Sequence, residues 1–553
     1  MDGRRKFRTA LHGACLGVAV MLGATGAIPA MAKDIPSLKT VPVPKPDSLA
    51  LFVKDERAAI RLGKALFWDM QAGSDGKQAC ASCHHKAGTD MRSVNTLNPH
   101  GASGWTPNLQ VTASMFPISS SLVFGSAGVL KNGFAGLSGN AVDLAAYVAD
   151  PVYSIDVMGT PTNVRQVTGR RAPQVINAVF NFRNFWDGRA RETFNGVNPF
   201  GNTAAAGDAR VLQVAANGSV QAVKVSINNA SLASQAVGPA NSSVEMAWDG
   251  RRFSHIGKKL MRSGVTPLGL QTVSGSDSVL GPLAGPKGLT VGYAQMVQDA
   301  FQPQWWNSSQ CFDVAKAPAA CSSTNYSVME SNFSLFWGLA VQLYEATLVS
   351  SDSPFDRGVQ SVQERRGMDL YTGQARCDHC HSGGETTSAS VSAVRDSGGN
   401  PTTGFFNTAV RPRAEDGGLN DAGFVGKGFF KTPSLRNLDL RAPYFHNGSV
   451  ATMRQMVDFY NRGGDFPNPS TDSQIRPLGL TEAQKTDLIA FLMSLTDNRV
   501  RYEKAPFDHP SLALPSGADA LTGLDKMVEL PAVGAGGLAT PLQPFLSLSP
   551  YSP

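Results

Sequence analysis

The sequence predicts a mainly α-helical fold of two helical domains carrying long loop insertions. Three observations lead there. Two amphipathic stretches, 57–69 and 363–371, each stand just ahead of a Cys-x-x-Cys-His motif, Cys80-Ala-Ser-Cys83-His84 and Cys377-Asp-His-Cys380-His381. A third stretch, 480–496, opens on Thr481 with Gln484 three residues later, the pattern of a capping box, and carries an apolar stripe. Residues 85–376, between the motifs, are far more chain than one such domain needs. They are rich in Gly, Ser, Asn and Ala over 101–168, 197–237 and 265–330, which reads as inserted loops.

Composition sets the outer bounds. The 553 residues are 42 % hydrophobic and 17 % charged, which excludes a largely disordered chain, and 56 Gly with 34 Pro indicate a loop-rich globular one. The formal charge is +6, but Arg4, Arg5, Lys6 and Arg8 against Asp2 account for half of it. What remains resembles no nucleic-acid footprint. Residues 1–32 read as a secretory signal peptide: basic RRKFR, an apolar run broken by Gly and Pro, and AMA before Lys33. Arg4-Arg5-x-Phe7 also matches a twin-arginine signal, and Cys15 is lost with the peptide. No later run of about 18 apolar residues exists, so the mature chain is expected to be a periplasmic protein without a membrane span.

Six cysteines follow the signal. Cys80, Cys83, Cys377 and Cys380 form the two C-x-x-C-H motifs, the attachment signature of c-type haem. The thiols reach the two vinyl groups, and His84 or His381 then lies beneath the iron as proximal ligand. Zinc would need the two motifs drawn together, and thioredoxin-like sites lack the repeated histidine. Cys311 and Cys321 remain as an even pair, expected to form a disulfide, with free thiols as the alternative.

The stretches ahead of the motifs share a pattern: Ile60, Gly63, Leu66 and Phe67 in the first, Gly367, Leu370 and Tyr371 in the second. This similarity predicts two cytochrome c-like domains, each wrapping one covalently bound haem c, over 33–345 and 346–498. The Pro/Gly/Leu-rich residues 499–553 are expected to drape over the surface. Residues 452–464 predict a helix opened by Thr452 and Gln455 and ended by Gly463-Gly464, with Met453, Met456, Val457 and Tyr460 on one face.

Several segments resemble the di-haem cytochrome c peroxidase and MauG family. RRAPQVINAVFNFRNFWDGRA (170–190), GPANSSVEM (238–246), VQLYEATLVSSDSPFD (341–356) and KTPSLRNLDLRAPYFHNGS (431–449) match it in order, and with the haem motifs cover about half the mature chain. The resemblance implies that His84 holds the peroxide-reacting haem and His381 the electron-transfer haem. Trp186 matches the indole between the haems, suited to relaying oxidising equivalents; by itself it reads as a core aromatic. Glu245 matches the distal carboxylate that moves a proton during peroxide cleavage. His446 matches a histidine close to the second haem that does not bind its iron. The distal Gln of some members is not evident around Asn195 and Gly196.

Two positions bear on subtype. Where peroxidases carry a Met ligand, 14 residues after the YFHxG histidine, this chain has Tyr460, as in MauG, with Met456 one turn earlier as rival. Tyrosinate is a hard donor favouring high-valent iron, whereas a thioether raises the reduction potential. His100, followed by Gly101, resembles the peroxidase loop whose histidine caps the resting first haem, a ligand MauG lacks. Arg171 and Arg441 stand where the family's interdomain calcium site has Asn and Thr, so calcium is not expected there.

The expected function is therefore a periplasmic di-haem oxidoreductase, MauG-like, that reacts with hydrogen peroxide to form a high-valent state shared between two haems. The reductant would be a small periplasmic electron donor or a protein substrate. Alternatives are an ordinary cytochrome c peroxidase fed by a small cytochrome or cupredoxin, and a non-catalytic di-haem electron carrier. An oxygenase of the rubber-cleaving type has no positive motif.

Overall fold

The computed structural model describes residues 35–100, 105–416 and 426–553; the signal peptide lies outside the described residues. Five helices organise the site. Helix α1, Glu56–Trp68, starts at Asp55, whose carboxylate accepts from the Ala58 N–H at 3.0 Å. Helix α2, Phe333–Glu345, is mostly apolar and buried along its whole length. The two cross at Gly63, where a Cβ would stand 1.9 Å from the Ala340 carbonyl oxygen. Only a residue without a side chain permits that approach.

The second half repeats the device. Helix α3, Val362–Thr372, is opened by a Ser361/Glu364 capping box, and helix α5, Glu482–Ser494, by the Thr481/Gln484 box. They meet at Gly367, whose Cβ would stand 2.0 Å from the Asp487 carbonyl oxygen. Helix α4, Met453–Arg462, is capped by Thr452 and ends at Gly463 with φ 88°. One apolar cluster contains α1 and α2, another gathers residues of α3, α4 and α5. Gly63→Ala and Gly367→Ala are each expected to lower stability by about 1–3 kcal/mol through overpacking; unchanged thermal unfolding of either variant would contradict these close crossings.

The helical core fits the predicted class, but the insertions are not simple loops. They fold into two-stranded hairpins, Asn132–Gly136 with Leu144–Tyr147, Ser154–Val157 with Thr160–Asn163, and Val211–Val214 with Val220–Val223. The second is closed by Met158-Gly159 with φ 50° and 81°, both left-handed, as a tight hairpin turn demands. Cys311 and Cys321 are joined as a disulfide across a small three-stranded sheet.

The C-terminal extension departs most from its expected surface path. Lys64 of α1 is fully buried and donates to Asp277 at 2.8 Å and to Asp508 at 3.4 Å. Leu512 and Leu514 of the hairpin Leu512–Ala518/Asp525–Leu530 enter the first cluster, and Phe545 packs edge-on against Phe116 and Phe124 in the second. Beyond it, the Thr452 hydroxyl donates to the Ser552 carbonyl at 2.6 Å, and the Arg454 N–H to Pro550 at 2.9 Å. The extension therefore clamps the start of α4. Among the described residues no helix is long and apolar enough to cross a membrane.

Candidate active site

Each C-x-x-C-H motif opens into its own cavity. The first is lined by Cys80, Cys83, His84, Phe67, Glu245 and Glu345 among others. The second, the larger of the two, is lined by Cys377, Cys380, His381, Trp186, Met456 and Tyr460 among others. None of the four motif cysteines is paired in a disulfide. Among the described residues, no three His, Cys, Asp or Glu side chains converge as a metal set. A zinc site joining the motifs therefore does not match this arrangement.

Both motif histidines are oriented the same way. His84 Nδ1 donates to the Gly88 carbonyl at 3.1 Å, and His381 Nδ1 to the Pro433 carbonyl at 3.1 Å. Burial lowers the pKa of both rings, His381 to about 4, so each is neutral. A neutral imidazole with its Nδ1 proton engaged leaves Nε2 as the nitrogen for a metal. Gly88 holds φ 75°, and its tight approach to Val175 and Ile176 fixes the carbonyl that His84 uses.

One segment forms a wall common to both cavities, because Val175 lines the first and Ile176 the second. Trp186 is fastened to the start of this wall: its indole N–H donates to the Arg171 carbonyl at 2.7 Å. The Lys431 N–H in turn donates to the Trp186 carbonyl at 2.7 Å. The indole is 8 % exposed and meets the His446 ring edge-on at 6.2 Å. His446 stacks on Phe430 at 3.6 Å, with its Nε2 3.0 Å from an Asp416 carboxylate oxygen.

The second cavity carries cations with free hydrogen-bonding capacity. Arg171 donates to the Ala442 and Pro443 carbonyls but leaves Nη1 without a partner, and Arg441 Nε is also buried and unpartnered. Burial pushes both guanidiniums down to about 10 and the lining Lys431 ammonium down to about 8. Desolvated cations of this kind require an anionic partner. The propionates of a haem held at Cys377 and Cys380 would supply that charge, so the residues present fit such a group.

Glu245 reaches the first cavity from a turn that the backbone brings close to Gly128, where a Cβ would stand 1.8 Å from the Val244 carbonyl oxygen. Burial raises its pKa, opposed by the Ser242 hydroxyl and then by the charge of Arg189. Tyr460 and Met456 both line the second cavity from one face of α4. Burial raises the Tyr460 pKa. His100 is not brought to the first cavity. It is exposed, and its N–H donates to the Asn98 side chain at 3.0 Å.

Lys431 and Glu345 line the cavities but carry no role in the sequence reading. Lys431 opens the matched KTPSLRN stretch, but nothing in the sequence sets it apart there. Glu345 had a signal: it is the one charged residue in the thirteen of α2.

A family model described as di-haem cytochrome c peroxidase matches residues 57–364. The match includes the first haem motif, Trp186 and Glu245 and ends before Cys377. The cytochrome-c peroxidase IdrP1 of Denitromonas iodatirespirans is 33 % identical over 205 residues, covering 32 % of this chain and 54 % of that protein. The methylamine utilization protein MauG of Methylorubrum extorquens is 34 % identical over 167 residues, covering 28 % and 42 %. The chain thus spans about half the length of the curated relatives it matches. A solved MauG-like protein associated with microbial copper homeostasis is 20 % identical, with a TM-score of 0.45 over 85 % of this chain and 96 % of that one. With more than half of its length inside the family match, this chain belongs to the di-haem cytochrome c peroxidase family.

Proposed function

We propose that the chain is a periplasmic di-haem oxidoreductase of the MauG-like kind, binding one haem c in each cavity through Cys80/Cys83 and Cys377/Cys380. When bound, the haems supply the redox chemistry, reduction of hydrogen peroxide at the first and storage of oxidising equivalents over both. The observation that carries this reading is Tyr460, a buried phenol that lines the same cavity as His381. As tyrosinate it would be the hard second ligand that a stored oxidising equivalent requires.

The chain's own residues divide the work. His84 and His381 present Nε2 because their Nδ1 protons are engaged. Glu245 takes the proton from the inner peroxide oxygen and delivers it to the outer one. Each peroxide consumes two electrons and two protons and leaves as two waters. Trp186, tied to the shared wall, couples the cavities, and Arg171 with Arg441 holds the second haem's propionates. The electrons come from a small periplasmic donor or from a protein substrate.

The test is one equivalent of hydrogen peroxide added to the diferric holoprotein. Prompt spectral change without prior reduction is expected. The competing peroxidase reading places Met456 on the second iron and His100 on the first, and predicts a reaction only after half-reduction. His100, exposed and outside the first cavity, favours direct access. No reaction in either state would favour an electron carrier.

Arg171 and Arg441 also carry the proposal that no interdomain calcium is bound. Elemental analysis of dialysed holoprotein should find no stoichiometric calcium. One calcium per chain, with activity lost on chelation, would overturn this.

A further inference from the structure

Apart from the two motif cavities lies another, which shares no lining residue with either. It opens where the helix Phe253–Leu260 ends against the turn of the Asn132–Gly136/Leu144–Tyr147 hairpin. Lys259, Arg262 and Lys287 line it, and no acidic side chain does. Local structure sets these cations in place. Gln71, in the turn after α1, donates from Nε2 to the Thr266 carbonyl at 2.9 Å and ties down one lining loop. Gly139 holds φ 88°, and a Cβ there would stand 3.2 Å from Arg262 Nη1, so the guanidinium rests on the hairpin turn. Arg262 and Lys287 are exposed and form the rim, whereas Lys259 is buried.

The charge does not balance at Lys259. Its Nζ donates to the Gly73 carbonyl at 2.9 Å and lies 3.1 Å from Asp143 Oδ1. Arg251 Nε stands 3.0 Å from the other oxygen of that same carboxylate. All three side chains are buried, so two positive charges share one negative charge. Neighbouring acids are already engaged. Asp75 is held by Arg165 at 2.8 Å, and Asp69, behind Gln71, accepts from the Tyr293 hydroxyl at 2.7 Å and the Leu268 N–H at 2.8 Å. Burial, and next the charge of Arg251, push the Lys259 ammonium down to about 8. Buried cations in excess call for an anion. An ammonium has three N–H donors, and two of those on Lys259 are engaged by Gly73 and Asp143, which leaves the third for the cavity it lines.

We propose that this cavity binds a small multivalent oxyanion, of the phosphate or polycarboxylate class, gripped by Lys259, Arg262 and Lys287. One of its charges offsets the surplus at Lys259, and the remainder faces the two rim cations. A cleft lined by one sign of charge concentrates such ligands, and charge-assisted N–H···O bonds hold them. The site does not depend on haem in either motif cavity.

The test is isothermal titration calorimetry of the holoprotein with inorganic phosphate and, separately, with citrate, in a buffer free of other multivalent anions. Saturable binding of one equivalent is expected, with acetate weaker by about tenfold or more. The tighter of phosphate and citrate names the class. The Soret band should stay in place, because the site lies apart from both motif cavities. Arg262→Gln combined with Lys287→Gln changes the rim and leaves the buried Lys259, Asp143 and Arg251 intact. That variant should bind about tenfold more weakly or worse, the worth of one charge-assisted hydrogen bond. Arg395→Gln combined with Lys526→Gln removes the same charge from exposed positions elsewhere and should keep wild-type affinity. No saturable heat with either anion at millimolar concentration, acetate binding as tightly, or a Soret shift tracking the titration would each overturn the site. So would an unaltered affinity in the rim variant, or an equal loss in both double variants.

Discussion

Glu245→Gln is expected to slow the reaction with hydrogen peroxide by about 10²–10⁴-fold, the usual worth of a positioned acid–base group. The amide keeps the shape of the carboxyl but cannot carry the proton between the two oxygens. Because Glu245 is held by its turn and hydrogen-bonded by Ser242, the loss should fall on the reaction rate and leave two haems bound. The pH dependence gives a second readout. Peroxide must first be deprotonated, so the active form of Glu245 is the ionised one, and burial raises its pKa above the ordinary carboxylate value. The rate should be full above that raised pKa and fall as pH drops through it, and Glu245→Gln should lose this limb. A variant retaining both rate and acid limb would show that the proton moves elsewhere.

Tyr460→Met is expected to convert the second site from storage to electron entry. A thioether in place of tyrosinate favours the reduced iron, and axial ligands command a range of about 0.8 V in haem potential. The second-haem midpoint should rise by a large part of what such a ligand change commands, and diferric protein should no longer react promptly with peroxide while half-reduced protein still does. Met456 supplies the control. Both side chains lie on the same face of α4, whose start is clamped by the C-terminal residues Pro550 and Ser552. If Met456 is the ligand, Tyr460→Met leaves the potential nearly unchanged and Met456→Leu moves it.

Much of the frame was legible because covalent and helical signals are local. C-x-x-C-H declares its chemistry within five residues, and the recurrence of Gly63 and Gly367 ahead of each motif anticipates two close helix crossings. The Tyr460 face of α4 followed from its caps and its period. The hairpins were not legible, because strands of four or five residues such as Asn132–Gly136 lack apolar alternation and depend on turns with positive φ. The buried course of 499–553 was hidden for a different reason. Asp508 belongs with Lys64, far away in sequence, and its composition of Pro, Gly and Leu gave no period to read. Arg171 and Arg441 were legible as departures from a family pattern, but their unpartnered nitrogens exist only in three dimensions. Glu345 needed the cavity to distinguish it from an acidic residue at a helix end.

We propose that the two haem sites act as one redox unit through the wall bearing Val175 and Ile176, to which Trp186 is tied. Electron paramagnetic resonance on diferric holoprotein, frozen at successive times after one equivalent of hydrogen peroxide, tests it most directly. The ferric signals of both haems should decay together, and Trp186→Phe should separate the two decays. Loss of the first-haem signal alone, with the second ferric signal intact in the wild type, would contradict the account.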